Sequence, residues 1–346
     1  MIIIFSITDS LGGAEQLLFK LAKFYKREER DVMICFLGSK TNSIWEGAGF
    51  SVFYCQGSLF TFFKFLKGKQ FNLTLSSHLM MNALLGLSRT LGFLKTDQLV
   101  CRESTTVFER YNGIKLLKYK FAYWMGYRKI DAVITQSDLM RDILLRNLPY
   151  LERRFPIQTI PNLFEYPKHE IISDKKYCPY IVSAGRLIPE KGFDLLIEAF
   201  KVLKETYPNY KLVILGEGKE REKLQQLIID LEFEEEVFLP GFVDDVYPYF
   251  KGAELCVVSS RIEGFPNVLL QMMSQNNKVV STLCAGGIEL LEGVKTCVTN
   301  DVDVLRESII SILLEESVAK REIFDRELKQ RSIEEYVSKL NKLNTR

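Results

Sequence analysis

Short apolar runs alternate with amphipathic stretches along this chain, and this alternation constrains its fold more than any other feature. Residues 2–5 are Ile-Ile-Ile-Phe, and apolar residues at helical spacing follow them over residues 14–26. A fully apolar run is typical of a strand that is buried on both faces of a parallel sheet. Strands that alternate with helices form βαβ units, so the sequence predicts the α/β class. The predicted strands cover residues 2–7, 31–36, 51–55, 73–76, 98–101, 132–135, 180–184, 211–215, 237–239, 255–258, 278–281 and 296–298.

A polar segment that contains several prolines separates the strands into two series. Residues 149–167 contain four prolines, and residues 168–176 show no hydrophobic periodicity, as is typical of a linker. A length of 346 residues also suits two domains of ordinary size. We therefore predict two doubly wound, Rossmann-like domains that face a central cleft. The predicted domains are residues 1–167 and residues 168–346, with terminal helices from residue 302 onward.

Charge is distributed unevenly between these halves, although the chain as a whole carries only +2. Residues 1–167 contain 22 Lys and Arg against 14 Asp and Glu, a net charge of +8, and residues 168–346 carry −6. This excess of positive charge favours an anionic partner for the first half, such as a membrane surface. No nucleic-acid-binding motif accompanies the charge, so nucleic acid is not an expected partner.

Cysteine spacing and the length of the apolar segments indicate the cellular compartment in which this protein works. The seven cysteines are scattered singly, which favours reduced thiols in a cytoplasmic protein over disulfides or a zinc site. The apolar start of the chain lacks the basic region of an export signal. The longest apolar segment, residues 79–94, contains Arg89 and is too short to span a bilayer. The sequence therefore predicts a cytoplasmic protein that can lie on a membrane without spanning it.

Glycine-containing turns follow several of the predicted strands. Gly12-Gly13-Ala14-Glu15 comes after the first strand, and Gly216-Glu217-Gly218 and Gly241-Phe242 come after strands of the second half. Glycine lets the backbone approach a ligand closely, and a helix N-terminus behind it favours an anion. A simple tight turn explains the first motif equally well. Phe242 adds an apolar surface against which a nucleobase can lie.

Two cations, Arg186 and Lys191, follow the strand at residues 180–184 and precede a helix. Cations at this spacing form a clamp that suits a diphosphate. Either residue alone would be an ordinary surface charge.

The most informative motif is Glu263-Gly264-Phe265-Pro266-Asn267-Val268, which directly follows the strand at residues 255–258. Gln271 lies eight positions beyond Glu263, two turns along a helix that begins near Pro266. A carboxylate on a loop and an amide on the adjoining helix favour a ligand site over a purely structural role.

Together these motifs resemble those of family 4 of the glycosyltransferases, which are retaining enzymes of the GT-B architecture. The order and spacing of the motifs carry the resemblance, which covers nearly the whole chain and includes Ile160-Pro161-Asn162. In that family the corresponding Arg and Lys hold the donor diphosphate, and the first acid contacts the donor sugar. The resemblance therefore implies three catalytic residues: Arg186, Lys191 and Glu263. The implied donor-binding residues are Gly12, Gly13, Arg186, Lys191, Gly216, Gly241, Phe242, Glu263, Gly264, Phe265, Pro266, Asn267, Val268 and Gln271.

Two positions depart from the family pattern. The second acid of the motif usually bonds the nucleotide ribose, whereas this chain has Gln271, which keeps an acceptor oxygen and loses the charge. Many members carry a His after the strand that corresponds to residues 98–101, where this chain has Arg102-Glu103. The candidates for the acceptor side are Glu15, His78, Arg102 and Glu103. A residue that caps a helix or satisfies a turn is an equally good interpretation of His78, and a salt-bridged loop residue is an equally good interpretation of Glu103.

Two further motifs have competing interpretations. Asp301-Val302-Asp303 resembles a metal-binding Asp-x-Asp motif, but it precedes a predicted helix, where Asp is an ordinary N-cap, so we expect no metal site. Residues 59–69 and 115–129 combine Lys or Arg with Phe, Tyr and Trp, as interfacial segments do. Aromatic side chains that face the core, with solvated Lys between them, are an equally good interpretation.

The resemblance implies a metal-independent, retaining glycosyltransferase of the hexosyltransferase type. It would move a sugar from a UDP-linked donor to a lipid-linked saccharide acceptor in polysaccharide or lipopolysaccharide biosynthesis. The nucleotide-sugar would be a co-substrate, no cofactor is expected, and the protein would lie peripherally on the inner, cytoplasmic face of the membrane. One alternative is a nucleotide-sugar epimerase of the same architecture, which would need carboxylates and His for acid–base chemistry. The other is an inactive homologue that binds sugar nucleotides.

Overall fold

The computed structural model describes residues 1–315 and 320–343, and it contains every predicted strand, with ends that differ by at most three residues. The chain divides into two compact units. The first unit comprises Met1–Leu163 and the segment from Ile333 onward, and the second comprises Phe164–Ser332. Each unit holds one parallel sheet with helices on both faces. The predicted α/β class with two Rossmann-like domains is therefore confirmed.

Within the described residues, the first unit is built on a seven-stranded parallel sheet with the order β3-β2-β1-β4-β5-β6-β7. Its strands are β1 (Ile2–Ser6), β2 (Val32–Phe36), β3 (Ser51–Tyr54), β4 (Gln70–Ser76), β5 (Lys95–Arg102), β6 (Ala132–Thr135) and β7 (Ile157–Thr159). In β1, Ile3 and Phe5 pack into one core, and Ile2 and Ile4 pack into the other. Burial on both faces explains why this strand is a continuous apolar run in the sequence.

The helices of the first unit cover both faces of its sheet. They are α1 (Gly13–Arg27), α2 (Ile44–Gly47), α3 (Leu59–Leu66), α4 (Leu79–Thr90), α5 (Val107–Arg110), α6 (Gly113–Gly126), α7 (Asp138–Asn147) and the last helix of the chain, α14 (Ile333–Lys342). The helices α4 and α6 pack closely, since a Cβ on Gly86 would lie only 1.9 Å from the carbonyl oxygen of Gly126. Any larger residue at Gly86 would therefore push the two helices apart.

The last helix corrects the predicted domain boundary. Ile333, Tyr336, Val337 and Leu340 are buried in the same core as Ile2 and Ile4 of the first sheet. We had assigned all of residues 168–346 to the second domain, whereas the chain returns to the first unit at Ile333. Periodicity shows that a helix has a buried face, but it does not show which sheet buries that face. Residues 316–319 and 344–346 of the predicted terminal helices lie outside the described residues.

The strand β7 was not predicted, and it lies in the segment that we interpreted as a linker. It pairs in parallel with β6 at the edge of the sheet. The strand has only three residues and is flanked by Pro156 and by Ile160-Pro161. Such a short run between prolines is typical of a loop as well as of an edge strand.

The second unit contains, in the part of the chain that is described, a six-stranded parallel sheet with the order β10-β9-β8-β11-β12-β13. Its strands are β8 (Tyr180–Ala184), β9 (Lys211–Leu215), β10 (Val237–Gly241), β11 (Leu255–Val258), β12 (Val279–Thr282) and β13 (Lys295–Cys297). Its helices are α8 (Phe193–Thr206), α9 (Arg221–Asp230), α10 (Tyr247–Gly252), α11 (Asn267–Gln275), α12 (Val302–Leu314) and α13 (Lys320–Lys329). Alternate residues of β8 again face two different cores.

Both sheets reverse their strand order beside their first strand. In the first unit β1 pairs with β2 and β4, and in the second unit β8 pairs with β9 and β11. Open α/β sheets bind ligands beyond the carboxyl ends of the strands at such a switch point. The loops after β1 and β4, and those after β8 and β11, are therefore the places where a site is expected.

Candidate functional site

An ion pair occupies the switch point of the second unit. Lys191 lies in the loop after β8 and Glu263 in the loop after β11, and Lys191 Nζ donates a hydrogen bond of 2.5 Å to Glu263 Oε1. The hydroxyl of Ser260 donates to the same oxygen at 2.8 Å. Each side chain of the pair is only 16% exposed, so water screens the interaction weakly. Two predicted catalytic residues that are far apart in the sequence are thus brought into contact.

A second ion pair fixes these two loops to each other. Both terminal nitrogens of Arg261 donate to the carboxylate of Asp194, each at 2.7 Å, and Arg261 also donates to the carbonyl of Pro189 at 2.9 Å. Burial raises the pKa of the Asp194 carboxyl, but the bonds from Arg261 outweigh burial and leave the pKa below its usual range. The sequence motifs do not predict this pair, because nothing in the local sequence joins the start of the helix after β8 to the loop after β11.

The predicted glycine turns are required by contacts between backbone segments. A Cβ on Gly216 would lie 1.9 Å from the carbonyl oxygen of Gly185, and a Cβ on Gly218 would lie 2.3 Å from that of Leu187. Gly216 also has φ of +135°, and its N–H donates to the carbonyl of Gly241 at 2.8 Å. Glycine therefore lets the loops after β8, β9 and β10 meet at one edge of the sheet.

Two other predicted donor-binding residues present their side chains to solvent. Arg186 is exposed, and no side-chain hydrogen bond or ion pair of this residue is found within residues 1–315 and 320–343. Phe242, which follows β10, is 74% exposed. Exposed aromatic and guanidinium groups at this edge are available to a base and a phosphate.

The Glu263 motif contributes both partly buried and fully buried groups. The amide of Gln271 on α11 is hydrogen-bonded to the hydroxyl of Tyr247, whose pKa is raised chiefly by burial. Phe265 is buried in the core, and its ring lies 5.2 Å from the guanidinium carbon of Arg331. The side chain of Phe265 therefore has a packing role, and its predicted donor contact gains no support. The other residues of the motif lie on the loop before α11 and in its first turn: Gly264, Pro266, Asn267 and Val268.

A hydrogen-bonded pair occupies the switch point of the first unit. Glu15 lies in the first turn of α1, and His78, which follows β4, places Nε2 at 2.5 Å from Glu15 Oε1. Ser6 donates to the same oxygen at 2.9 Å. Glu15 is buried, whereas the side chain of His78 is 27% exposed. His78 makes no side-chain cap hydrogen bond at the start of α4, so the capping interpretation fails.

The other two acceptor-side candidates lie in the interior of the first unit. Arg102 is the last residue of β5, and it donates to Asn162 Oδ1 at 2.5 Å. Glu103 accepts hydrogen bonds from the hydroxyls of Tyr123 and Tyr127 at 2.8 and 2.5 Å, and burial raises the pKa of its carboxyl. Arg102 is 4% exposed and Glu103 is 2% exposed. Both residues therefore have structural roles, which corrects the expectation that they face an acceptor.

The Asp-x-Asp motif caps a helix, as we predicted. Asp301 is the N-cap of α12, and its side chain accepts a hydrogen bond from the N–H of Val304 at 3.0 Å. Asp303 pairs with Arg306 one turn later. In the described part of the chain, no group of three or more His, Cys, Asp and Glu side chains is arranged to hold a metal ion.

The helix α6 carries an exposed apolar stripe. The large side chains of Ile114, Leu117, Phe121 and Trp124 recur at helical spacing and are between 50% and 76% exposed. Exposed cations flank the stripe: Lys115, Lys118, Lys120 and Arg128. None of the helices within the described ranges has the length and apolar character that crossing a bilayer requires. The predicted interfacial character of residues 115–129 thus has a geometric basis.

The other aromatic segment is mostly part of the core. In α3, Phe62, Phe65 and Leu66 are buried beneath the sheet of the first unit, and Phe60 is 79% exposed. Lys69 folds back so that its Nζ lies 4.3 Å from the centre of the Phe65 ring. For most of this segment the core interpretation is therefore the better one.

A family model matches nearly the whole of the second unit. Residues 167–331 match the model of the family Glycosyl transferases group 1. This range contains all of the predicted site residues of the second unit, from Arg186 to Gln271. The match confirms the resemblance that the motifs indicated.

Two curated relatives carry specific names. The N-acetylgalactosamine-N,N'-diacetylbacillosaminyl-diphospho-undecaprenol 4-alpha-N-acetylgalactosaminyltransferase of Campylobacter jejuni is 33% identical over 207 residues, which cover 58% of this chain and 55% of that protein. The lipopolysaccharide core biosynthesis glycosyltransferase LpsE of Rhizobium meliloti is 38% identical over 109 residues, which cover 32% of this chain and 31% of that protein. This chain thus spans about half the length of the curated relatives it matches, or less.

The fold has a counterpart among solved structures. The crystal structure of Anabaena Alr3699/HepE in complex with UDP and glucose aligns with a TM-score of 0.81 at 18% sequence identity. The alignment covers 100% of this chain and 99% of that one. The likeness confirms the GT-B fold class that we predicted.

Proposed function

Because residues 167–331 belong to the group 1 glycosyl transferases, we propose that this chain transfers a sugar from a UDP-linked donor to a lipid-linked saccharide acceptor. We place this reaction in polysaccharide or lipopolysaccharide assembly and propose retention at the anomeric carbon. The observation that carries the proposal is the contact between Lys191 and Glu263 at the switch point of the second unit. The names of the relatives support the acceptor class, and the UDP and glucose in the similar crystal structure support the donor class.

The proposed chemistry depends on positive charges that are already in position before the donor binds. As the sugar leaves, negative charge builds up on the diphosphate, and Arg186 and Lys191 are the cations that neutralise it without a metal. Lys191 is bonded to Glu263 in the free protein, so a bound diphosphate competes with that carboxylate for the ammonium group. The Ser260 hydroxyl then keeps Glu263 oriented toward the donor sugar.

Nucleotide binding tests the donor assignment. UDP and a panel of UDP-hexoses and UDP-N-acetylhexosamines should raise the thermal unfolding temperature of the intact chain, because a ligand at about 100 times its Kd adds about 2.7 kcal/mol to stability. ADP and GDP are the controls. If neither UDP nor any UDP-sugar raises the unfolding temperature, the donor assignment is wrong. Binding without transfer to any acceptor would instead favour the inactive homologue.

We also propose that α6 docks on an anionic membrane surface that carries the acceptor. Its four exposed apolar side chains form one stripe, and basic residues lie along both sides of it. Each basic residue near an anionic surface contributes about 1 kcal/mol, and aromatic rings add affinity at the lipid interface. The net charge of +8 on residues 1–167 acts in the same direction.

Replacing Phe121 and Trp124 by Ser together should weaken binding of the intact chain to phosphatidylglycerol vesicles by at least about 10-fold, because two exposed rings no longer insert. The measurement is vesicle co-sedimentation at two salt concentrations, and wild-type binding should fall as salt rises. The matched control replaces Ile172 and Leu314, two exposed apolar residues of the second unit, by Ser. Equal binding by both double variants and the wild type would contradict the membrane proposal.

A further inference from the structure

The carboxylate–imidazole pair at the switch point of the first unit holds a buried carboxylate. Glu15 is 4% exposed, yet its pKa is lowered: burial raises it, and His78, the backbone N–H of Glu15 itself and Ser6 together outweigh burial. A buried, ionised carboxylate costs free energy unless its hydrogen bonds are complete. His78 and Ser6 supply hydrogen bonds to this carboxylate.

Exposed glycines border the pair. Gly12 and Gly13 are exposed and lie two and three positions before Glu15, and a Cβ on Gly12 would lie 2.9 Å from Glu15 Oε2. A side chain at Gly12 would therefore crowd the carboxylate in its present position. Arg102 and Glu103, the other candidates at this edge, are occupied by interior partners. His78 is thus the partly exposed polar group through which Glu15 can act on a ligand.

The carboxylate also determines which nitrogen of His78 carries hydrogen. An ionised carboxylate only accepts hydrogen bonds, so Nε2 of the ring is the donor to Glu15. In a neutral imidazole the other nitrogen, Nδ1, then keeps its lone pair and is an acceptor. Within the described residues, no partner of His78 Nδ1 is found. The backbone of His78 is fixed at the start of α4, because its carbonyl accepts the N–H of Asn82.

We propose that His78 Nδ1 accepts a hydrogen bond from the attacking hydroxyl group of the saccharide acceptor, and that Glu15 is a positioning residue that fixes the ring tautomer. The inference rests on the proposed transfer reaction, and it names the group that orients the acceptor. No proton is transferred to His78 in this role.

The tautomer can be measured without any ligand. The chain has only two histidines, so the ¹⁵N spectrum of its imidazole groups is assigned by one variant, His169→Gln. In the neutral form of the ring, the proton of His78 should lie on Nε2. In Glu15→Gln the amide can donate to the ring, so the proton should move to Nδ1. A wild-type spectrum with the proton on Nδ1 would overturn the inference.

Kinetics with a simple acceptor provide the second readout. The probe is the octyl hexoside or N-acetylhexosaminide that the wild type glycosylates most rapidly. His78→Gln can still donate to Glu15 but offers no acceptor where Nδ1 lay, so kcat/KM for the probe should fall by about 10- to 100-fold. His78→Asn, whose carbonyl oxygen lies near the position of Nδ1, should recover part of this loss. UDP binding should be unchanged in both variants.

The outcomes separate this inference from the proposed function. If the wild type transfers sugar and His78→Gln retains wild-type kcat/KM, the role of His78 is refuted and the transferase proposal stands. If UDP does not bind and no glycoside is glycosylated, the proposed function fails, whatever the tautomer. The matched control is His169→Gln, since that exposed histidine also pairs with a carboxylate, Asp245, and should leave the kinetics unchanged.

Discussion

Arg186→Ala should lower kcat/KM for sugar transfer by about 100-fold and leave stability unchanged, whereas Lys191→Ala should lower both. Arg186 is exposed and no partner of its side chain lies in the described residues, so its removal disturbs no packing. Lys191 is bonded to Glu263, and both are only 16% exposed. Its loss leaves a half-desolvated carboxylate without a cation, at a cost of about 1–3 kcal/mol in unfolding free energy.

A double variant separates catalysis from stability at this pair. Lys191→Met combined with Glu263→Gln removes both charges, so the unfolding free energy should return toward the wild-type value while transfer stays impaired. Initial rates and urea unfolding are the two measurements. Lys201→Ala, an exposed lysine on α8, is the control and should change neither. Wild-type kinetics in both Arg186→Ala and Lys191→Ala would remove the diphosphate assignment from this loop.

Truncation after Ser332 should unfold the first unit and leave the second unit folded. The deletion removes four side chains that are at most 5% exposed, namely Ile333, Tyr336, Val337 and Leu340. Burial of such side chains contributes about 1.5–3 kcal/mol each, so the expected loss is about 6–12 kcal/mol. A typical domain has a stability of only about 5–15 kcal/mol. Arg102 would also lose its hydrogen bond with Tyr336.

Tryptophan fluorescence detects unfolding of the first unit alone. Both tryptophans of the chain, Trp45 and Trp124, lie in the first unit, and Trp45 is fully buried beside Phe19 and Phe36. Truncation should shift the emission of Trp45 to longer wavelength, whereas UDP should still raise the unfolding temperature of the second unit. Ser338→Ala, on the exposed side of α14, is the control. A truncated chain with native emission would show that α14 is dispensable.

The fold was largely predictable because burial on both faces leaves a strong pattern in the sequence. Runs such as residues 2–5 and residues 255–258 are apolar throughout, and the sequence predicts strands there. The wrong prediction, which assigned the last helix to the second domain, concerns a feature that only long-range packing determines. The helix Ile333–Lys342 has a clear apolar face, but only the folded chain shows that this face covers the first sheet.

The site residues were predictable where a local motif identifies them. They were less predictable where the direction of the side chain determines whether a residue can contact a ligand. Lys191 and Glu263 were singled out separately, and parallel topology brings them together. Arg102 and Glu103 follow a strand as a ligand-binding residue would, yet their side chains turn inward to Asn162, Tyr123 and Tyr127. Sequence position fixes the edge of the sheet that a residue reaches, but it does not fix which way the side chain points.

The return of the chain to its first unit at Ile333 also sets the order in which the two units are completed during synthesis. The second unit is continuous, Phe164–Ser332, so all of its strands are synthesised before α14 is made. Translation at about 5–20 residues per second separates Leu163 from Ile333 by roughly 10–30 s. Throughout that interval the core around Ile2 and Ile4 lacks its last helix. The unit that begins the chain is therefore the one that finishes folding last.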